Sequence, residues 1–264
     1  MAIIKKTPEE IDQIAASGQV LARCHRLLRA KARPGVTTAE LDEAAERFIR
    51  SQGGTPAFKG YRGFPGSICA SPNSMVVHGI PGDYELARGD VLSVDIGVDR
   101  DGWISDAAVT LPIGPVSDIA AGLLEATRAS LFEGIDQCNV GNRLGDVSAA
   151  IQRRVEADGY SVIRSLVGHG VGRDMHEDPQ IPNFGTPGTG PVLEEGMVLA
   201  IEPMVNVGGP NVRLAPDNWS VYSEDGSLAA HFEHTVAITA DGPRILTPWH
   251  LEDGAKTAER MLLG

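Results

Sequence analysis

Two short apolar segments, each of which carries an acid, constrain the fold of this chain more than any other feature. The first is GDVLSVDI, residues 89–96, and the second is GMVLAIEP, residues 196–203. Both are runs of aliphatic residues typical of buried strands, yet Asp95 and Glu202 occupy otherwise apolar positions within them. A buried, unpaired carboxylate costs several kcal/mol, so the fold must bring a cation close to each acid.

The same pattern continues downstream and upstream of both segments. An acid again opens an apolar alternation after each one: Asp106 begins DAAVTL and Glu233 begins EHTVAI. A histidine followed by glycine precedes each segment, His78 in one case and His169 in the other. Four carboxylates and a histidine that converge from separate strands are the ligands that a pair of divalent metals requires.

An internal repeat supports this pairing without the acids. Residues 35–53 align with residues 141–159 at an offset of 106 positions, with matching glycines at both ends. We therefore expect one catalytic domain, 1–264, of α/β class, built from two pseudo-symmetric helix-then-strand halves. Their approximate bounds are 7–113 and 114–250, and they would enclose a shared site.

Composition and net charge restrict the classes of function that this chain can have. The chain has 264 residues and a net charge of −12, which argues against a nucleic-acid or membrane surface. Its three cysteines are too few for a disulfide framework, which favours a reducing compartment. The sequence contains no apolar run of 18 residues and no signal-peptide core at its start, so we expect a cytoplasmic protein.

Capping and periodicity predict the helices. Thr7 with Glu10 and Thr37 with Glu40 have the spacing of capping boxes, each followed by an amphipathic run. Further helices are predicted at about 117–137 and 143–158, and a short C-terminal one near 251–262. Residues 54–74 place aromatic side chains among glycines and prolines, which predicts a loop that is either pinned to the core or the wall of a pocket.

The ligand types restrict the metal. Oxygen and imidazole ligands without a thiolate favour Mn, Fe or Co in a dinuclear site, with zinc less favoured. Four carboxylates suffice for two ions, some of them bridging. A single structural metal is the alternative interpretation.

These residues also carry a family resemblance. Asp95, Asp106, His169 in GHGVG, Glu202 in IEPMV and Glu233 in FEHT match, in order, the five metal ligands of the methionine aminopeptidases. The likeness extends from near residue 7 to near residue 250. Within the family, the chain resembles the short bacterial type I form. It implies the pita-bread fold, an α/β architecture with two pseudo-symmetric halves around a dinuclear site.

By this resemblance, the protein would remove the N-terminal methionine from nascent or newly made polypeptides, preferably before a small second residue. A hydroxide bridging two divalent ions would attack the scissile carbonyl. The resemblance gives Glu202 a second role as proton shuttle. His176 would donate to the developing oxyanion, and His78 would contact the peptide nitrogen or the second residue's backbone.

The resemblance also predicts the methionine pocket. Its expected lining is Tyr61, Phe64, Cys69, His78, Met175, His176 and Trp219. Met175 stands where the family often has phenylalanine, which leaves the metal chemistry intact but changes the expected pocket shape.

Two other functions remain open on the sequence. An X-prolyl aminopeptidase or dipeptidase shares the five ligands but normally carries an additional N-terminal domain. A non-catalytic binding protein of the same fold would usually have lost ligands. We expect nascent chains as partners, association with the ribosome, a monomeric state, and neither membrane nor direct DNA binding.

Overall fold

The computed structural model describes residues 3–251. The α-helices in this range are α1 (Pro8–Lys31), α2 (Thr38–Ser51), α3 (Asp118–Ile135) and α4 (Leu144–Ala157), and a single 3-10 turn spans Tyr61–Gly63. The strands are β1 (Thr55–Pro56), β2 (Cys69–Pro72), β3 (Met75–Val77), β4 (Val91–Arg100), β5 (Trp103–Pro112), β6 (Ser161–Val162), β7 (Val167–Gly170), β8 (Glu177–Pro182), β9 (Val198–Ile201), β10 (Met204–Asn206), β11 (Val212–Leu214), β12 (Val221–Ser223), β13 (Ala229–His231), β14 (His234–Thr239) and β15 (Gly242–Ile245). The helix predicted near 251–262 lies outside the described residues apart from its first position.

The two predicted capping boxes are confirmed. The Thr7 hydroxyl accepts a hydrogen bond from the Glu10 backbone N–H at 3.3 Å, and the Glu10 carboxylate accepts one from the Thr7 N–H at 2.9 Å. Thr37 and Glu40 make the same exchange at the start of α2. These bonds satisfy backbone donors that a helix start leaves without partners, which explains why both helices begin there.

Antiparallel strands form the rest of the framework. β4 and β5 pair along their whole length as a hairpin, and β1 and β2 both pair with the other edge of β4. A second sheet has the order β15-β14-β9-β7-β8. Two three-stranded sheets, β13-β10-β6 and β11-β12-β3, complete the described topology. The helices and strands share a core of buried aliphatic side chains that includes Leu21, Ile96, Val147 and Leu199.

The hairpin and the second sheet meet through the hydroxyl of Thr235 on β14. This hydroxyl accepts a hydrogen bond from the Asp106 N–H at 3.0 Å and donates one to the Asp106 carbonyl at 2.7 Å. One residue pair therefore holds β5 against β14 at the level of a predicted ligand.

Matched glycines occur at the repeated positions. Their φ angles all lie between 74° and 98°, a region that glycine enters at low cost. The pairs are Gly35 and Gly141, Gly53 and Gly159, and Gly89 and Gly196. Two copies of one structural unit would share such backbone conformations, and the division into halves at 7–113 and 114–250 stays a prediction.

Within residues 3–251, no helix has the length and apolar character that crossing a bilayer requires.

Helix α1 packs so closely on the chain after β15 that its Gly18 has no room for a side chain. A Cβ atom there would overlap the backbone carbonyl of Leu246. We expect Gly18→Ala to lower the free energy of unfolding by about 1–3 kcal/mol through overpacking, although alanine favours helices. Urea denaturation measures this, with the exposed Gln19→Ala as a near-neutral control. An unchanged or higher stability for Gly18→Ala would contradict the close packing.

Candidate metal centre and substrate cavity

The β4–β5 hairpin supplies two carboxylates on one face. Asp95 on β4 lies opposite Ala108 on β5, and Asp106 lies two residues before Ala108. Side chains two residues apart on a strand point to the same face, so the two acids are diagonal neighbours. Asp95 is 9% exposed and Asp106 is 4% exposed, which buries both carboxylates as the sequence predicts.

The second sheet supplies the remaining predicted ligands. His169 on β7 and Thr235 on β14 both lie opposite Ala200 on β9. Glu202 follows the end of β9, and Glu233 immediately precedes β14. The Glu233 N–H donates to the Ala108 carbonyl at 2.9 Å, which places this acid directly against the hairpin.

The structure brings all five predicted ligands to one place. One ligand atom each from Asp106, His169 and Glu233 lie within 4.8 Å of one another. The His169 Nε2 atom lies 3.5 Å from Glu202 Oε1 and 3.9 Å from Asp106 Oδ2. Asp95 adjoins Asp106, and repulsion between them contributes to the raised pKa of Asp95. The predicted ligands therefore surround a common point.

Burial dominates the electrostatics of this cluster. It raises the pKa of Asp106 to about 7 and the pKa values of Asp95, Glu202 and Glu233 well above their usual range, with further repulsion among the four acids. Among the ion pairs of the described residues, none joins these acids to a lysine or arginine. Four buried acids without such a partner need a bound cation if they are to ionise together.

One hydrogen bond fixes the tautomer of His169. Its Nδ1 atom lies 2.9 Å from the Gly170 carbonyl oxygen, which accepts hydrogen bonds and cannot donate them. Nδ1 therefore carries the proton, and the Nε2 lone pair faces the carboxylates. Burial lowers the pKa of His169 to about 4, so the ring is neutral at pH 7 and suited to bind a metal.

The donor set fits divalent metal ions. Three buried oxygens, Asp95 Oδ1, Asp106 Oδ1 and Glu233 Oε1, accept no hydrogen bond from the described residues. A cation satisfies such atoms where a hydrogen-bond donor is missing. Cys69 lies nearby, but burial and the surrounding carboxylates raise its thiol pKa well above the usual value, so the thiol is protonated at pH 7 in the metal-free protein.

A cavity of about 300 Å³ opens from these acids, and aromatic side chains form much of its wall. Its lining includes six of the seven predicted pocket residues: Tyr61, Phe64, Cys69, His78, His176 and Trp219. The Trp219 ring contacts Phe64 edge-on at 5.1 Å between centroids. The Asp217 carboxylate accepts hydrogen bonds from the Trp219 and Ser220 N–H groups, which holds the loop that presents Trp219.

Met175 is placed differently from its prediction. It does not line the cavity but lies behind it, 3% exposed, in an apolar cluster with Phe58, Phe64 and Cys69. Gly97 on β4 makes room for this layer, because a Cβ there would lie 2.9 Å from the Met175 methyl carbon and 2.7 Å from the Phe58 ring. Phe58 itself lines the cavity in front of Met175, in agreement with the pocket-wall alternative for residues 54–74.

His231 is a site residue that the sequence analysis missed. It lines the cavity and is 2% exposed, with Nε2 3.7 Å from Glu202 Oε2 and 3.9 Å from Glu233 Oε2. Neither ring nitrogen has a hydrogen-bond partner among the described residues. The available signal was its spacing, because a residue two positions before Glu233 in extended chain points to the same side.

His78 and His176 both line the cavity, but different neighbouring side chains contact their rings. The His176 ring lies 4.3 Å from the His169 ring between centroids, and its Nδ1 is 2.9 Å from the Tyr61 hydroxyl. Burial lowers the pKa of His176 to about 3, with smaller contributions from the neighbouring His169 and Arg62, so the ring is neutral at pH 7. His78 follows β3 with φ of 59° and faces the Trp219 ring.

Comparison with known proteins decides the family. A sequence profile of metallopeptidase family M24 matches residues 12–240. The chain belongs to metallopeptidase family M24. It is 53% identical to a methionine aminopeptidase of Clostridium perfringens over 93% of this chain and 98% of that protein. It is 52% identical to methionine aminopeptidase 1 of Bacillus subtilis over 93% and 99%. The resemblance to methionine aminopeptidases predicted from the motifs is confirmed.

Solved structures of the M24 family agree with the fold. A methionine aminopeptidase from Thermotoga maritima matches with a TM-score of 0.92 and 45% identity, over 93% of this chain and 99% of that one. A prolidase from Pyrococcus furiosus matches with a TM-score of 0.76 and 23% identity, over 92% and 65%, which shows a shared fold alone. The predicted pita-bread α/β fold is confirmed.

Stabilisation by metal should increase with pH. Because the carboxyl pKa values are raised, the metal-free folded protein holds protons that the unfolded chain has already lost. The stability of the metal-free fold therefore falls as pH rises through the pKa values of the folded state, which is about 7 for Asp106. Metal replaces those protons, so Mn(II) should raise the melting temperature more at pH 8 than at pH 6.5. Because the melting temperatures with and without Mn(II) are compared at the same pH, protonation of the unfolded chain affects both equally.

Thermal unfolding of chelator-treated protein, with and without Mn(II), measures this. Asp106→Asn should remove most of the increment, whereas Glu43→Gln, which alters an exposed acid of α2, should leave it unchanged. An equal increment at both pH values would show that the carboxyls are already ionised without metal.

Proposed function

We propose that this protein is a metal-dependent aminopeptidase that removes the N-terminal methionine from nascent or newly made polypeptides. The observation that carries the proposal is the buried acid cluster at one end of an aromatic cavity, in a chain whose methionine aminopeptidase relatives are half identical to it over nearly their full length. A cavity of about 300 Å³ suits one side chain rather than an extended peptide.

The metal centre would comprise Asp95, Asp106, His169, Glu202 and Glu233, holding two divalent ions, with Mn, Fe or Co favoured over Zn. Oxygen and imidazole donors without a thiolate support this choice. When bound, the ions supply Lewis acidity toward the scissile carbonyl and lower the pKa of a water molecule.

Glu202 would move the proton during hydrolysis. Water adds its oxygen to the scissile carbonyl carbon, Glu202 accepts the proton, and the carboxyl then delivers it to the leaving nitrogen as the C–N bond breaks. Glu202 Oε1 lies 3.5 Å from His169 Nε2, so the carboxylate that would take and return the proton stands within the ligand cluster. Its backbone is held because Asn183 Nδ2 donates to the Glu202 carbonyl at 2.9 Å.

His176 and His78 would contact the substrate directly. If the Tyr61 hydroxyl donates to His176 Nδ1, the ring proton resides on Nε2, from which it can donate to the developing oxyanion. His78 would hold the peptide nitrogen or the backbone of the second residue. Both rings are neutral at pH 7 because burial lowers their pKa values, so each can act as a hydrogen-bond donor without added charge.

Methionine selection would rest on the soft and aromatic wall. Phe64, Cys69 and Trp219 offer apolar and sulfur contacts that a thioether favours. A narrow cavity would favour a small second residue. An X-prolyl activity is not favoured, because the prolidase likeness reaches the fold alone. Ribosome association remains a prediction from the resemblance. A monomeric state and a cytoplasmic location also remain predictions from the sequence.

Peptide hydrolysis tests the proposed activity. Metal-stripped protein should release methionine from Met-Ala-Ser only after Mn(II) or Co(II) is added, and should not cleave an Ala-Pro peptide. Glu202→Gln should abolish turnover while circular dichroism shows an intact fold. Cleavage of the prolyl peptide alone would overturn the proposed substrate. A Glu202→Gln variant retaining more than a few per cent of the rate would remove Glu202 from proton transfer.

His176 has a separate test. His176→Ala should lower kcat roughly 10²- to 10³-fold, the loss typical of one oxyanion donor, while calorimetric Mn(II) affinity stays unchanged. Gln180→Ala, at an exposed position on β8, the strand that follows His176, should leave kcat unchanged. A kcat near the wild-type value for His176→Ala would exclude the proposed donor role.

A further inference from the structure

The segment before α1 contains a buried ion pair that lies outside the cavity lining. The Lys6 ammonium contacts the Glu177 carboxylate, and both side chains are 3% exposed. The neighbouring Lys5 pairs instead with Glu194 at the surface, where the two side chains are 52% and 54% exposed. Burying two charges costs several kcal/mol for each ion, so a buried pair is a poor source of stability, and a role in fixing geometry becomes the stronger interpretation.

Glu177 closes the loop that carries His176. It directly follows His176, and its Oε1 atom accepts the Arg173 N–H at 3.0 Å and the Asp174 N–H at 3.4 Å. In the β7–β8 ladder Glu177 also lies opposite Gly170, the residue after His169. One carboxylate therefore ties the start of this loop to its end.

Lys6 holds that carboxylate from the other side. A Cβ on Gly172 would lie 2.5 Å from Lys6 Cε and 2.8 Å from Glu177 Oε1, so the pair packs directly on the loop backbone. The Lys6 N–H donates to the Gly196 carbonyl at 2.7 Å, in the turn that enters β9 and leads to Glu202. The lysine is thus anchored independently of the loop that it supports.

We propose that Lys6 and Glu177 are positioning residues for His176. The buried pair holds the loop from Arg173 to Glu177 in the conformation that presents the His176 ring to the Tyr61 hydroxyl and the His169 ring. This inference rests on the donor role proposed above for His176. Neither residue of the pair touches the substrate, and the effect of each passes through the imidazole.

A double-mutant cycle tests the coupling. Lys6→Met keeps the length of the side chain but removes its charge, and should lower kcat roughly 10- to 100-fold by misplacing the donor, with KM within about twofold. In a His176→Ala background the same substitution should change kcat by less than about twofold, because the donor is already absent. Assays use saturating Mn(II) and the methionyl peptide.

Lys5→Met is the matched control, since it breaks the exposed pair on the same segment and should leave kcat unchanged. Glu177→Gln provides a second variant in case Lys6→Met folds poorly. It retains an acceptor for the Arg173 N–H and should show the same loss of kcat. In the His176→Ala background, this substitution too should cause almost no further loss.

Imidazole resonances supply a readout without turnover. In metal-free protein, the His176 signal, assigned by its loss in His176→Ala, should shift in Lys6→Met, while the signal of His25 stays in place. An unchanged kcat in Lys6→Met and Glu177→Gln, or an equal loss with and without His176, would overturn the inference. A wild-type kcat for His176→Ala would instead overturn the donor role, and this inference with it.

Discussion

The removal of four clustered carboxylates from water is the constraint on which the rest of this structure depends. Asp95, Asp106, Glu202 and Glu233 lie together where burial opposes their ionisation, and within residues 3–251 they form no ion pair with a lysine or arginine. Such a cluster persists only if the backbone holds it. The Thr235 hydroxyl does so at one point, because it bonds both backbone groups of Asp106 across two sheets.

Much of the framework could be predicted because its causes are local. The capping boxes depend on residues three positions apart, and the structure contains them as expected. The acids were identifiable because a charge within an apolar run is rare enough to demand a partner. Repetition of that pattern then indicated which acids belong together, although the distances between them come only from the structure.

The remaining features depend on contacts that no local pattern encodes. Lys6 and Glu177 are 171 positions apart, and a lysine near the start of a chain is ordinarily exposed. Met175 was expected in the cavity wall because it stands where related enzymes often have phenylalanine, but Phe58 occupies that layer and leaves Met175 behind it. His231 lacks a counterpart in the repeat, so the pattern that revealed the acids could not reveal it.

The two histidines that precede the repeated segments have different surroundings. His169 lies within a strand, its Nδ1 proton committed to a carbonyl and its lone pair directed at the acids. His78 lies just beyond a strand in a left-handed conformation and faces an indole. The same histidine-glycine step therefore contributes a lone pair to the acid cluster at His169 and a ring to the cavity wall beside Trp219 at His78.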